Sequence, residues 1–316
     1  MKYAVSTKVL VYHPRQADEY AENLRKLGVW VKVVKDNDDF QDGLAQGASV
    51  LFAWRFPWAW IPETSPLCWI QLMGAGADDI IQQKHVMQRQ VVTRILDQFG
   101  EPIAQYVFAW ILYLQQGIGK LIHAQQEHEW EPFLVDPLHG KTLAVAGLGS
   151  IGQEIIKRGR AFSMPVIGLS KTGRGSDCVD RHFTPDNWGN FVAEADYLVL
   201  TLPLTSETHH VIRREILDNM KRDAVLINVG RGKLIDERDL LAMMQTNPIR
   251  AAVLDVFETE PLPVDHPLWG VRGVYATPHM SGVSRIPEVC SFFMDNLRRF
   301  EAAQSLIGVV DPLSMY

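Results

Sequence analysis

Cysteine is scarce in this chain: three residues in 316, Cys68, Cys178 and Cys290, far apart and odd in number. That excludes a disulfide framework, and no metal-ligand spacing joins them, so they read as reduced structural thiols. Surplus positive charge is also lacking. There are 31 basic against 37 acidic residues, a formal charge of −6, which argues against a generic nucleic-acid or anionic-membrane surface. No uninterrupted apolar run is long enough to span a bilayer. The first residues show no basic region followed by a signal-length apolar stretch. A soluble, cytoplasmic protein with no nucleic-acid and no membrane partner is expected. Repeats and low-complexity tracts are missing too. His123 and His128 are spaced off one helix face, so no metal site is expected.

What is present is ordinary globular material, 47% hydrophobic and 22% charged, with length enough for two domains. Apolar runs at Lys8–Tyr12, Trp30–Val34, Ser49–Trp54, Trp69–Met73 and Val91–Ile95 read as strands. Ala17, Tyr20, Leu24 and Leu27 repeat at helical spacing between the first two. Such alternation implies an open parallel α/β sheet. A long helix opens at Gly100-Glu101-Pro102, and the first crossover between domains falls near Asp97 to Glu101. The polar stretch Ala124–Glu131 then leads over the surface.

The rest of the chain is organised around KTLAVAGLGSIGQEIIKRGR, Lys141–Arg160. An apolar run, Thr142–Ala146, feeds Gly147-Leu148-Gly149-Ser150-Ile151-Gly152, and helix-forming residues follow. Strand, glycine turn and helix together are the context of a dinucleotide fingerprint. Gly147 permits the tight turn, Gly149 the approach of pyrophosphate, and Gly152 close packing of helix on strand. Pro165–Leu169 is the next strand, whose end in an NAD(H) site carries an Asp or Glu for the ribose. Here Ser170, Lys171, Thr172, Gly173 and Arg174 stand instead: two cations, two hydroxyls and no carboxylate to repel a 2′-phosphate. NADP(H) is therefore the preferred cofactor, with NAD(H) as the alternative.

Further strand-like runs at Tyr197–Leu202, Ala224–Val229, Ala251–Val256 and Gly273–Ala276 alternate with helical segments, including Ser206–Met220 and Asp236–Gln245. A last helix is expected over Ile286–Ala303. Each strand leads into a loop at the sheet's carboxyl edge, where ligands bind. Leu202 and Pro203 open one such loop, Val229 and Gly230 another. Arg231, Glu260 and His279 can converge there. Reducing a 2-keto acid needs a cation for its carboxylate and an acid beside its carbonyl oxygen. Arg231 offers a planar fork for the first, and His279 is the natural acid. Glu260 would favour the imidazolium and fix its orientation. Two earlier loops also follow strands. Trp54-Arg55-Phe56-Pro57-Trp58-Ala59-Trp60 reads equally as a pocket wall or as a surface or subunit contact. Gly74-Ala75-Gly76-Ala77-Asp78 reads as an anion nest or an ordinary tight turn.

The run from Gly140 to Val283 resembles the D-isomer-specific 2-hydroxyacid dehydrogenase family. The resemblance is carried by GLGSIG, LPLTSETHHVI, NVGRGKLIDERDL, LDVFETEPLP and TPHMSG, in that order. It implies Arg231 as the substrate-binding arginine, Glu260 as the partner carboxylate and His279 as the acid/base. It places Asp255 near the nicotinamide, and Val229, Gly230, Arg231, His279 and Ser281 against the cofactor. Trp54, Ala75 and Gly76 join Arg231 and His279 at the substrate. The implied fold has two Rossmann-like parallel-sheet domains with the active site in the cleft. A discontinuous, flavodoxin-like substrate domain spans 1–98 and 286–316, and the dinucleotide-binding domain spans 99–285. A homodimer joined through the cofactor domain is implied as well. Tyr12-His13-Pro14, the Gly74 and Trp54 loops and Ser170-Lys171 are similar to the glyoxylate/hydroxypyruvate reductase A branch, implying NADPH-preferring reduction of a small 2-keto acid. The family more often has Ala or Cys where Gly230 stands, and Glu near Gln105. The alternatives are an NAD(H)-using dehydrogenase of another substrate and a cofactor-sensing, corepressor-like binding protein.

Overall fold

A computed structural model describes residues 7–282 and 284–311. Residues 1–6 and 312–316, assigned by sequence to the first domain, and Val283, at the end of the family-like run, lie outside the described residues. The chain divides into two compact units, Met1–Gln98 with Ser284–Tyr316, and Phe99–Val283.

The first unit runs β1 (Lys8–Tyr12), α1 (Ala17–Lys26), β2 (Trp30–Val33), α2 (Asn37–Ala45), β3 (Val50–Ala53), β4 (Trp69–Leu72), α3 (Asp78–Ile81), α4 (Lys84–Met87) and β5 (Val91–Thr93). All strand pairs are parallel, in the order β2-β1-β3-β4-β5. Both β3 and β4 are buried at every position, as strands covered on two faces must be. Asp36 caps α2 by accepting the Asp39 N–H at 2.9 Å, satisfying one donor the helix leaves unpaired. The helix Ile286–Glu301 returns to this sheet. Phe293 stacks on Phe52 at 4.4 Å and on Trp69 at 5.2 Å. Buried Asn296 donates to Gln71 at 3.0 Å, and Thr93 donates to the same oxygen at 2.8 Å. A polar cluster is tolerated in this core because its members satisfy one another.

The second unit continues α5 (Gly100–Gln115), α6 (Ile118–Gln126), β6 (Leu143–Ala146), α7 (Ser150–Ala161), β7 (Val166–Leu169), β8 (Arg181–Phe183), α8 (Trp188–Glu194), β9 (Tyr197–Leu200), α9 (Arg214–Leu217), β10 (Val225–Asn228), α10 (Glu237–Thr246), β11 (Ala251–Leu254) and β12 (Val274–Ala276). Its seven-stranded sheet has the order β12-β11-β10-β9-β6-β7-β8. Strand order reverses between β6 and β9, and a doubly wound sheet opens its ligand crevice at that switch point.

Three differences from the sequence expectation stand out. Ser206–Met220 is not one helix: only Arg214–Leu217 is helical, and turns precede it. Thr208 explains this, because its hydroxyl accepts the Thr205 N–H at 2.7 Å and donates to the Pro203 carbonyl at 2.7 Å. Side-chain hydroxyls that bind nearby backbone compete with helix. The polar passage after α5 begins with the helix α6. An unforeseen edge strand, β8, pairs with β7.

Candidate active site

The glycine loop is shaped by close backbone approach. Gly147 has φ of 104°, in the region open chiefly to glycine. A Cβ at Gly152 would lie 2.0 Å from the Gly147 carbonyl oxygen, so only glycine lets α7 begin so near β6. Thr201, just beyond β9, donates its hydroxyl proton toward the Gly147 carbonyl at 2.9 Å. Gly149 precedes α7 and no side chain caps the helix start. Its first-turn N–H groups have no partner within the helix, which suits pyrophosphate oxygens. The residues present fit a dinucleotide.

At the end of β7, Ser170 is buried and its hydroxyl meets His182 Nε2 at 2.8 Å. Lys171 is not a lone cation: its Nζ lies 2.7 and 2.6 Å from the two oxygens of Glu207. Glu207 sits opposite this loop because the segment after β9 turns instead of forming a helix. Thr172 and Arg174 are exposed, and Arg174 makes no ion pair among the described residues.

Three strand-end loops assemble the candidate acid, partner and cation. At the end of β10, Asn228 accepts the Gly230 N–H at 3.1 Å and donates to the Arg231 carbonyl at 2.8 Å, fixing the turn that carries Arg231. A Cβ at Gly232 would fall 1.9 Å from the Phe257 carbonyl carbon. The Arg231 loop therefore presses directly on the loop beyond β11. There Glu260 accepts the Phe257 N–H at 3.2 Å through one oxygen. Its other oxygen meets His279 Nδ1 at 2.7 Å. His279 has φ of 51°, a strained backbone for a side chain of its size. Asp255 holds it there: the Asp255 carbonyl accepts the His279 N–H at 2.9 Å. Its carboxylate accepts Met280 N–H at 2.9 Å, Ser281 N–H at 2.8 Å and the Thr277 hydroxyl at 2.6 Å. The imidazole is half-exposed. With Nδ1 engaged by a carboxylate, Nε2 is the ring nitrogen left to exchange a proton with a ligand.

In the first unit, Trp54 lies against the other glycine loop: a Cβ at Gly74 would come within 2.1 Å of its ring. Arg94 donates to the Ala75 carbonyl at 3.1 Å. The remaining aromatic residues of the Trp54 loop serve the core, since Phe56 and Trp58 are buried there and Trp60 packs on them. The structure thus brings Trp54, Ala75 and Gly76 into one neighbourhood, and separately pairs Glu260 with His279 while the loop that carries Arg231 packs on the loop that carries Glu260.

Sequence reading missed Thr201, Glu207, His182 and Tyr106 as contributors. Tyr106 on α5 meets the Thr277 hydroxyl at 2.6 Å, and burial pushes its phenol up to about 12, so it remains a donor. The tripeptide around His182 carries no periodic signal. Thr201 alone had a usable one, its place between a strand and the LPLT motif.

Comparison with known proteins follows the same lines. Residues 108–281 match the D-isomer specific 2-hydroxyacid dehydrogenase, NAD binding domain family. A glyoxylate/hydroxypyruvate reductase B of Yersinia pestis bv. Antiqua (strain Nepal516) is 38% identical over 192 residues, 58% of this chain and 58% of that protein. The match thus spans less than two thirds of the relative, which carries the B designation. A D-isomer specific 2-hydroxyacid dehydrogenase family protein from Aeromonas salmonicida subsp. salmonicida A449 superposes with a TM-score of 0.89 at 32% identity, covering 98% of this chain and 99% of that one. A D-isomer specific 2-hydroxyacid dehydrogenase from Xanthobacter autotrophicus Py2, solved with NADPH and MES, gives 0.85 at 27% identity, covering 99% and 100%. With its glycine loop, doubly wound sheet and family match over more than half its length, the chain belongs to the D-isomer specific 2-hydroxyacid dehydrogenase family.

Proposed function

We propose that the protein reduces a small 2-keto acid of the glyoxylate or hydroxypyruvate type to the D-2-hydroxy acid, with NADPH preferred over NADH. The observation that carries this reading is the 2.7 Å contact between His279 Nδ1 and Glu260. It leaves Nε2 as an outward-facing acid. A bound reduced nicotinamide supplies the hydride. His279 gives its Nε2 proton to the carbonyl oxygen as negative charge develops there, and Glu260 offsets the imidazolium before that transfer. Arg231 grips the substrate carboxylate with its two parallel N–H groups. A carboxylate-binding role for the Ala75 and Gly76 amides, and a covering role for Trp54, belong to the same proposal. Preference for NADPH is supported by the absence of a carboxylate at Ser170-Lys171-Thr172, and by the NADPH held in the Xanthobacter structure.

A homodimer is also proposed. The helix α6 buries none of its residues within the chain, and the arm after it exposes Trp130 and Leu134 almost completely. Among the described residues, no helix is long and apolar enough to cross a membrane.

The test is a steady-state comparison of hydroxypyruvate, glyoxylate, pyruvate and 3-phosphohydroxypyruvate, each with NADPH and NADH. The expected result is turnover highest with one of the first two acids and NADPH. No oxidation of NADPH with any of the four acids, by protein that still binds the cofactor, would overturn the enzymatic reading in favour of a cofactor-sensing binding protein.

A further inference from the structure

Strand β8 is only three residues long, yet it determines what the cofactor loop can offer. Its register places His182 opposite Gly168, and the Ser170 N–H continues the ladder by donating to the Phe183 carbonyl at 3.1 Å. Side chains alternate across a strand. Phe183 packs on the core of the second unit, with the Arg181 guanidinium 4.8 Å above its ring. His182 points the other way, and its Nε2 lies 2.8 Å from the Ser170 hydroxyl.

A serine hydroxyl has one proton and two lone pairs. If Ser170 donates to His182 Nε2, only lone pairs remain to face a ligand, and these repel an oxyanion. If His182 carries its proton on Nε2 and donates, the serine proton is free to point outward. A 2′-phosphate accepts hydrogen bonds and is matched only by the second arrangement. A ribose 2′-hydroxyl donates or accepts and is matched by either. The charge of the neighbouring cation is partly offset, because Lys171 pairs with both oxygens of Glu207. We infer that His182 is a cofactor-specificity residue, which acts by presenting the Ser170 hydroxyl as a donor to the 2′-phosphate of the dinucleotide. The inference rests on the proposed use of NADPH.

The test is calorimetric binding of 2′,5′-ADP and of 5′-AMP to the whole chain, with KM and kcat for NADPH and NADH alongside. His182→Leu removes the donor, and His182→Gln supplies an amide donor at similar reach. In His182→Leu the Ser170 hydroxyl keeps its proton but loses the partner that aims it, so affinity for 2′,5′-ADP should fall about fivefold, the scale of one neutral hydrogen bond. Affinity for 5′-AMP and kcat with NADPH should stay within about twofold, a spread too small to reflect a lost hydrogen bond. His182→Gln should restore most of the lost affinity. In a Ser170→Ala background, His182→Leu should add no further loss, because the serine it acts through is gone. This cycle separates orientation from a merely structural role for the histidine. An unchanged preference for 2′,5′-ADP in folded His182→Leu protein, or an undiminished effect without Ser170, overturns the inference while NADPH use stands. Should both His182 variants fail to fold, Ser170→Ala decides: retention of the full 2′,5′-ADP preference overturns it. Wild-type protein that binds the two nucleotides equally overturns the NADPH reading itself.

Discussion

At the scale of single residues, His279, the proposed acid, is held in place by groups to which the proposal gives no chemistry. Its φ of 51° is strained, and the strain is sustained because Asp255 ties down the residues on either side of it. Asp255 is fully buried, and every bond its carboxylate makes is charge-assisted, which makes such bonds about twice as strong as neutral ones. Tyr106 adds a further tie through Thr277. The imidazole needs only one fixed partner, Glu260, to define which nitrogen faces outward. His279→Ala is therefore expected to lower kcat by roughly 10²- to 10⁴-fold, the ordinary contribution of a general acid. Binding of NADPH, followed by its fluorescence, should be little changed. Near-normal kcat would show that the proton comes from elsewhere. Arg231, Glu260 and His279 were legible in the sequence because each follows a strand at the ligand edge. Tyr106 and His182 were not, because their roles depend on which other side chain they meet.

At the scale of elements, the parallel strands were easy to read because buried strands are continuous apolar runs. The helices α1 and α10 carried amphipathic spacing as well. What failed was local competition between hydroxyls and backbone. Thr205 and Thr208 turn the chain after β9, so the first part of the segment that composition favoured as helix is a series of turns, and Glu207 lands against Lys171. Edge strand β8 was invisible for a different reason: three residues with partly exposed positions show neither alternation nor an apolar run. Contacts between loops are equally hidden in sequence, and Gly232 is the sharpest case. The motif around it resembles a family pattern, but its physical reason is the Phe257 carbonyl that its missing Cβ would strike. The struck atom is backbone, and the added Cβ is fixed by the Gly232 backbone, so no side-chain rotation relieves it. Gly232→Ala should force the two loops apart, cost about 1–3 kcal/mol of stability, and lower kcat/KM by roughly a hundredfold through displacement of the Arg231 loop from the loop that carries Glu260. Thermal melts and kinetics on the same preparation check both. Unchanged kinetics would mean that the loops are not required at this spacing.

At the scale of the whole molecule, the acidic balance and the buried cores of the two units are those of an ordinary globular protein, but one surface is not. Helix α6 and the arm that follows leave Leu121, Ile122, Trp130 and Leu134 exposed, the last two at 96% and 102%. The arm is nevertheless anchored at its far end, where Leu138 is buried and the Asp136 carbonyl accepts Gln115 Nε2 at 2.7 Å. An anchored segment that presents large apolar side chains to water is a surface built to be covered. A second copy of the chain is the economical cover, because a two-fold contact buries the same residues twice. The sequence points to a dimer only through family resemblance; this exposure is the observation that supports the proposed homodimer. Wild-type protein should elute and scatter light as a dimer at micromolar concentration. Replacing Leu134 by Asp, together with Trp130 by Asp, places four charges in one symmetric contact and should give monomers. Because neither side chain is needed for the core of its own unit, the melting temperature of the separated monomer should fall only by what is lost from dimerisation, and so should be independent of protein concentration. A wild-type monomer, or a double variant that remains a dimer, would remove this surface from the assembly.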